Sequence, residues 1–243
     1  MSDLADRFEQ DPHITEKFPN VRPKDAATLI LLDRSDRIPK VLMGRRHHSH
    51  VFLPGKFVFP GGRVDPADRL MPVAGELDKR AQVRLMRKTS APSAAKARTF
   101  ALTAIRETFE ETGLLIGKKA EAGKVPPGPW AEFARANVMP DLSSIHFIAR
   151  AITPPHRPRR YDTRFFTADS SAIAHRIDGV VGPDAELVEL VWKPIAEAQK
   201  LDLIAITQII LRDLQAQIDA GFRHDQPVPF YRMLHGKRSR ELI

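Results

Sequence analysis

Arg106-Glu107-Thr108-Phe109-Glu110-Glu111-Thr112-Gly113-Leu114 is the stretch that decides how the rest of the chain is read. On a helix, Glu107, Glu110 and Glu111 stand at i, i+3 and i+4, so three carboxylates project within one turn and repel one another. Leu102, Ile105 and Phe109 recur at the spacing of a buried stripe roughly opposite them. That pattern predicts a helix anchored through one side and presenting its acids on the other. Gly113 stands where a left-handed C-cap belongs, and Leu114-Leu115-Ile116 then returns to apolar packing. Carboxylates clustered on a rigid element suit hard divalent cations such as Mg²⁺ or Mn²⁺, which prefer oxygen ligands and relieve the repulsion.

Upstream, residues 26–32 form a strand candidate, broken by Asp33-Arg34-Ser35-Asp36 before a second candidate, Lys40-Val41-Leu42-Met43. Together they predict a hairpin. Residues 44–62 interleave bases and glycines with apolar residues. Arg45 and Arg46 offer planar forks to phosphate oxygens, while Gly61 and Gly62 let backbone approach a ligand closely. His47, His48 and His50 share this loop, but oxygen-loving metals do not choose imidazole, so they read as exposed or packing residues. Residues 76–88 form a basic helical segment carrying Lys79, Arg80, Arg84, Arg87 and Lys88. It is either a solvated surface or a lid over a distal phosphate. Residues 1–24, with Pro12, Pro19 and Pro23, read as an extended lead-in.

Downstream come a proline-rich loop at 125–130, a short helix at 130–136 and a strand at 144–152. In residues 159–166, alternation puts Arg160, Asp162 and Arg164 on one strand face and Tyr161, Thr163 and Phe165 on the other. The charged face is either an ion-paired sheet surface or a phosphate site in which Arg160 and Arg164 bind and Asp162 fixes one arginine. Residues 184–192 are a further strand candidate carrying Glu186 and Glu189, either of them exposed strand acids or acids of a site. Residues 195–200 and the amphipathic segment 202–220 predict helix covering the sheet. Residues 230–234 are able to dock, and 236–243 read as a mobile basic tail. Strands on both sides of a central helix, with a covering C-terminal helix, fit one α/β domain whose helices sandwich a mixed sheet.

With 243 residues, 42% of them apolar and 28% charged, the chain holds one sizeable domain or two small ones. It has no cysteine, which excludes disulfides, thiolate zinc sites and cysteine nucleophiles. There is no run of eighteen apolar residues, and Met1-Ser2-Asp3-Leu4-Ala5-Asp6 lacks a basic segment followed by a hydrophobic one. Neither a membrane span nor a secretory signal is expected, and the expected location is the cytoplasm. A formal net charge of +8 favours an anionic partner, whether nucleic acid or a phosphorylated metabolite, or serves solubility alone. A homodimer is compatible with the sequence.

Arg106-Glu107-x-x-Glu110-Glu111-x-Gly113 followed by Leu114 resembles the second half of the Nudix box. In that family the first half is a glycine fourteen positions before the arginine, with a glutamate between. The candidate glycine here is Gly62, in Phe59-Pro60-Gly61-Gly62, 44 positions before Arg106, so about thirty extra residues split the box. The intermediate glutamate has no clear counterpart; Arg98 stands eight before Arg106. The insertion spans about 64–92. Leu42-Met43, Arg46, Gly55 and Phe59-Pro60-Gly61-Gly62 resemble in part the coenzyme A signature of coenzyme A diphosphatases, with Gly44, His47 and Val51 departing from it. The split box and its Phe-Pro-Gly-Gly-Arg-Val-Asp opening resemble peroxisomal and mitochondrial acyl-coenzyme A diphosphatases and related bacterial proteins.

The resemblance implies a Nudix-type α/β/α sandwich over residues 25–235, with a mixed sheet and a helical insertion inside the box. It implies Mg²⁺ or Mn²⁺ held by Glu107 and Glu111, with Glu110 close behind and Gly61 adding backbone oxygen. Arg106 is expected to pair with a glutamate, and the general base to come from Glu107, Glu110, Glu186 or Glu189. Arg45, Arg46, Gly61, Gly62, Arg160 and Arg164 are the expected substrate contacts. The implied reaction is hydrolysis of a diphosphate linkage, with coenzyme A or acyl-coenzyme A giving phosphopantetheine and 3′,5′-ADP. ADP-ribose, dinucleoside polyphosphates and RNA 5′ ends are the rival substrates. A nucleotide-sensing module that does not cut is the rival of another class.

Overall fold

The structure is a computed structural model that describes residues 18–49, 53–121 and 123–243. The expectations for residues 1–17, His50 and Val51 lie outside the described residues. The strands are β1 (Lys24–Asp33), β2 (Lys40–Arg46), β3 (Phe57–Val58), β4 (Gly61–Arg63), β5 (Leu114–Ile116), β6 (Lys118–Lys119), β7 (Val138–Met139), β8 (His146–Ile152), β9 (Tyr161–Asp169), β10 (Ile173–Arg176), β11 (Leu187–Pro194), β12 (Pro229–Leu234) and β13 (Lys237–Leu242). The helices are α1 (Lys79–Met86), α2 (Ala94–Thr112), α3 (Trp130–Arg135), α4 (Ile195–Ala198) and α5 (Ala205–Asp219).

β1 organises the sheet because it is buried on both faces. Ala27, Leu29 and Leu31 enter one core and Ile30 and Leu32 the other, the period of two expected of a strand. β2 returns as the predicted hairpin, with Leu32 opposite Val41. The main sheet runs β11-β2-β1-β9-β8-β12-β13, with β3 joined to β2 and β4 to β1. The β1–β9 and β8–β12 pairs are parallel and the others antiparallel, so the sheet is mixed. α2 covers one face through Phe100, Ala101, Leu102 and Ile105. α5 covers the other through Ile210, Leu211 and Leu214. The result is the expected α/β/α sandwich.

Three local expectations change. The segment 236–243 is not a loose tail: β13 pairs along β12 from Leu234–Lys237 to Pro229–Leu242, and Ile243 is buried. His235 and Gly236, at φ 49° and 75°, make the two-residue turn whose twist matches a hairpin. The basic helix α1 is not poised over the cleft described below. Ala81 and Leu85 pack into the α2-side core, and Arg84 donates to the His224 and Asp225 carbonyls. From the insertion, only residues at its opening, Val64 and Asp65, line that cleft. Finally, α2 is buried nearly all round, and its acids divide: Glu111 is only 6% exposed and Glu107 is half-buried, while Glu110 alone of the three is displayed to solvent as expected.

Candidate active site

The ends of α2 set the register of the acids. The Ser93 hydroxyl accepts from the Lys96 N–H at its start, and Gly113 closes it at φ 75° with its N–H on the Phe109 carbonyl. β4 then lies beside β1, Gly62 opposite Ala27 and Gly61 opposite Thr28, and brings a stretch of bare backbone against the helix. The Gly61 N–H donates to Glu111 Oε2 at 3.3 Å. A Cβ on Gly62 would stand 2.5 Å from the Glu107 carboxyl carbon, and one on Gly61 2.7 Å from the Ala27 carbonyl oxygen. Backbone contact holds Gly61 to glycine, and at Gly62 a side chain would have to displace the Glu107 carboxylate.

Glu107 and Glu111 line a cleft of about 900 Å³ together with Gly61, Gly62, Arg46 and Glu186. Burial pushes Glu107 up to about 7; Arg106 pulls it down and Glu110 opposes that pull. Burial also pushes Glu111 well above the usual carboxylate range, with the Glu186 and Glu107 charges adding to it against Arg46 and the Gly61 N–H. Buried carboxylates that push each other upward form a site short of positive charge.

Arg106 supplies part of that charge and is itself fixed. Its Nε donates to Asp68 Oδ1 at 2.7 Å and its Nη2 to Asp68 Oδ2 at 3.2 Å and to the Arg63 carbonyl at 2.9 Å. Its Nη1 pairs with Glu107 at 2.9 Å and also reaches Glu110. Asp68 is fully buried and accepts as well from the Thr103 hydroxyl, the Trp130 indole N–H and the Asp65 N–H. Sequence reasoning missed this residue. It stands six after Gly62, where the resemblance asks for the intermediate acid, and is an aspartate where the family has a glutamate.

The other candidates divide. Glu186 reaches the cleft and pairs with Arg46 Nη1 at 2.8 Å, while Glu189 pairs with Arg45 at 2.8 Å and lines no part of it. A β-bulge between Leu187 and Glu189 separates the two acids. Arg46 Nε is buried with no hydrogen-bond partner among the described residues. Glu110 is drawn to Arg106 and away from the cleft.

Arg160 and Arg164 are not cleft residues. Arg160 donates to the Thr153 and Val21 carbonyls and to Asn20 Oδ1. Arg164 is buried against Asp25 at 2.6 Å and Asp162 at 3.3 Å, with its guanidinium 3.9 Å from the Phe100 ring centre. The alternation along β9 is as read, but Tyr161, Thr163 and Phe165 face the cleft, and the opposite face packs on α2. His47 and His48 stand outside the cleft lining, and His47 Nδ1 accepts from the Ser49 N–H.

Among the described residues, no three acidic or histidine side chains are already drawn together as a metal cage. Glu107 and Glu111 lean instead on Arg106 and on the Gly61 N–H. The donor set nonetheless fits a hard divalent cation. It consists of oxygen donors only, two of them one helical turn apart, crowded enough that a cation would stabilise their charged forms.

No family model matches the chain. It is similar to a Caenorhabditis elegans protein named "Putative nudix hydrolase 7", 27% identical over 155 residues, which are 59% of this chain and 43% of that relative. The chain thus spans less than half the length of the curated relative it matches. Among solved structures, it is similar to a Nudix hydrolase from Alicyclobacillus acidocaldarius at 28% identity and TM-score 0.58, over 81% of this chain and 92% of that one. The Nudix domain of Shewanella oneidensis NrtR, solved with ADP ribose, is similar at 16% identity and TM-score 0.44, over 82% of this chain and 90% of that one. The mixed sheet with its covering helices matches the fold of the Alicyclobacillus acidocaldarius Nudix hydrolase. No helix among the described residues is long and apolar enough to cross a membrane.

Proposed function

We propose that this chain hydrolyses the diphosphate linkage of a nucleoside diphosphate derivative with the help of Mg²⁺ or Mn²⁺. The observation that carries the proposal is Glu107 and Glu111, one turn apart on a buried helix, facing the cleft beside the bare backbone of Gly61 and Gly62. Glu107 and Glu111 would hold the cation. A cation bound there would neutralise diphosphate charge, polarise the phosphoryl oxygen and make bound water more acidic. Arg106 keeps Glu107 oriented, and Asp68 keeps Arg106 in place. Glu186, held through its Oε1 by Arg46, is the cleft acid left to accept a proton from water. The unpartnered Arg46 Nε–H would donate to a phosphate oxygen.

Two observations support the split-box reading: Gly62 lies against Glu107, and Asp68 meets Arg106 although 38 residues separate them in sequence. Coenzyme A or acyl-coenzyme A is the favoured substrate, supported by the partial signature that includes Arg46 in the cleft and by a cleft large enough for a long ligand. The test is a panel of coenzyme A, ADP-ribose, dinucleoside polyphosphates and 5′-triphosphorylated RNA, each with Mg²⁺ and with Mn²⁺, products identified by mass. Cleavage of a diphosphate is expected, and Glu111→Gln should lower it by about 100-fold or more while the protein stays folded. Near-parental turnover in Glu111→Gln would contradict the site; binding without turnover of any member would point to a sensor.

A further inference from the structure

Charge is unevenly spent along the cleft. Around the glutamates, Arg106 is engaged with Asp68 and Glu107, and Arg46 with Glu186. At the other end, Lys24 and Arg159 also line the cleft, and their side chains form no ion pair or hydrogen bond among the described residues. Asp25, which lines the cleft beside them, is already taken by Arg164 at 2.6 Å and Lys96 at 3.3 Å. Asp65, the other acid at that end, caps the Ala67 N–H at 2.7 Å.

The sheet register puts these two cations together. Lys24 pairs with Tyr161, two residues after Arg159, whereas Arg63 follows Gly62 beside the glutamates and its carbonyl accepts from Arg106. Lys24, Ala26 and Thr28 alternate onto the strand face that lines the cleft. Thr28 lies opposite Gly61, whose N–H holds Glu111. Lys24 stands four positions before Thr28 along the strand, a span of roughly 13 Å. That is farther apart than adjacent phosphates of one polyphosphate chain, and it suits a second anion carried on the far side of a nucleoside.

We infer that the end of the cleft formed by Lys24 and Arg159 binds a phosphate monoester of the substrate, remote from the diphosphate that Glu107 and Glu111 address. The substrate class is then a diphosphate whose nucleoside carries an additional ribose phosphate. The inference rests on the proposed hydrolase reading for which bond is cut, but the anion site itself is measurable without turnover.

The experiment uses the full chain and substrate pairs that differ only in that phosphate: coenzyme A against 3′-dephospho-coenzyme A, and NADPH against NADH. The phosphorylated member of at least one pair should show kcat/KM about tenfold higher, the gain lying in KM and shrinking as salt is raised. In the Lys24→Met/Arg159→Met double variant that preference should fall toward unity, and in Lys24→Arg/Arg159→Lys part of it should return. In parallel, adenosine 3′,5′-diphosphate and AMP are titrated calorimetrically without metal, with the same preference expected and the same loss in the double variant. Equal kcat/KM within both pairs together with equal binding of the two nucleotides would overturn the inference, as would a preference that survives the double variant. Absence of turnover with a binding preference intact would overturn the hydrolase reading and leave the anion site standing.

Discussion

Replacing Asp68 by asparagine keeps the volume of a fully buried side chain and removes its charge. Five donors converge on the carboxylate: Nε and Nη2 of Arg106, the Thr103 hydroxyl, the Trp130 indole N–H and the Asp65 N–H. An amide offers one acceptor oxygen in place of two and turns an NH₂ toward groups that themselves donate. Breaking a buried ion pair by removing one partner costs about 3–5 kcal/mol, because the other charge is left uncompensated. Arg106 keeps Glu107 at 2.9 Å and Glu110, so the lower end applies, about 3 kcal/mol. For a chain of this length that corresponds to a fall in Tm of about 6 °C.

The assay is urea unfolding and thermal melting of Asp68→Asn beside the parent, with Asp68→Glu as the second arm. Glutamate preserves the charge but forces a methylene into a closed site, at about 1–3 kcal/mol. Freed from Asp68, the Arg106 guanidinium should shift toward Glu107, so Asp68→Asn should also need more Mg²⁺ for half-maximal activity. Asp68→Asn within about 0.5 kcal/mol of the parent would refute the claim that Asp68 compensates Arg106.

Three further outcomes are expected. Mg²⁺ at a hundredfold excess over its Kd should stabilise the parent by about 2.7 kcal/mol, and a Glu107→Gln/Glu111→Gln variant should show no such rise in melting temperature. Gly62→Ala should cost about 1–3 kcal/mol and displace the Glu107 carboxylate, seen as a loss of activity larger than the loss of folded protein at assay temperature. His146, stacked on His224 with ring centres 3.8 Å apart, is pushed down to about 4, mainly by burial and then by the His224 and Arg34 charges. Between about 4 and the unfolded value near 6.5 the unfolded chain binds the extra proton, so stability should fall as pH drops through that window. The shift sets an upper bound of about 3 kcal/mol, which solvent screening at this partly exposed ring reduces to about 1–2 kcal/mol. His146→Phe should flatten that slope in unfolding curves taken from pH 7 to pH 4.5, and an unchanged slope would assign it to other groups.

Much of the fold was legible because it rests on short-range rules. The alternation in β1, the turn before β2 and the glycine closing α2 all depend on local geometry, and all stand where the pattern puts them. The C-terminal strand was not legible, for a physical reason: an edge strand is kept from pairing with other chains by charge, so Lys237, Arg238 and Arg240 look like a solvated tail. Glu186 stands just before β11 and Glu189 within it, and which of them reaches the cleft is set by the pairing of this segment with Arg46 and Arg45, 140 or more residues away in sequence.

The arginines show most clearly where local reading stops. Alternation assigned Arg160 and Arg164 correctly to one face of β9, but a strand does not announce which of its faces meets a helix and which meets solvent or a ligand. Here the charged face is the one that meets α2, and Arg164 can lie there only because Asp25, Asp162 and the Phe100 ring surround it. The cleft therefore falls to the Tyr161–Thr163–Phe165 face, and with it to Lys24 and Arg159, which the alternation alone gave no reason to single out. The same logic governs the acids. Glu110, Glu107 and Glu111 are equivalent on a helical wheel, yet Arg106 claims the first, shares the second and leaves the third to the Gly61 N–H. That division is anchored at Asp68, six residues after Gly62, whose carboxylate holds Arg106 Nε and Nη2 and leaves Nη1 to Glu107 and Glu110.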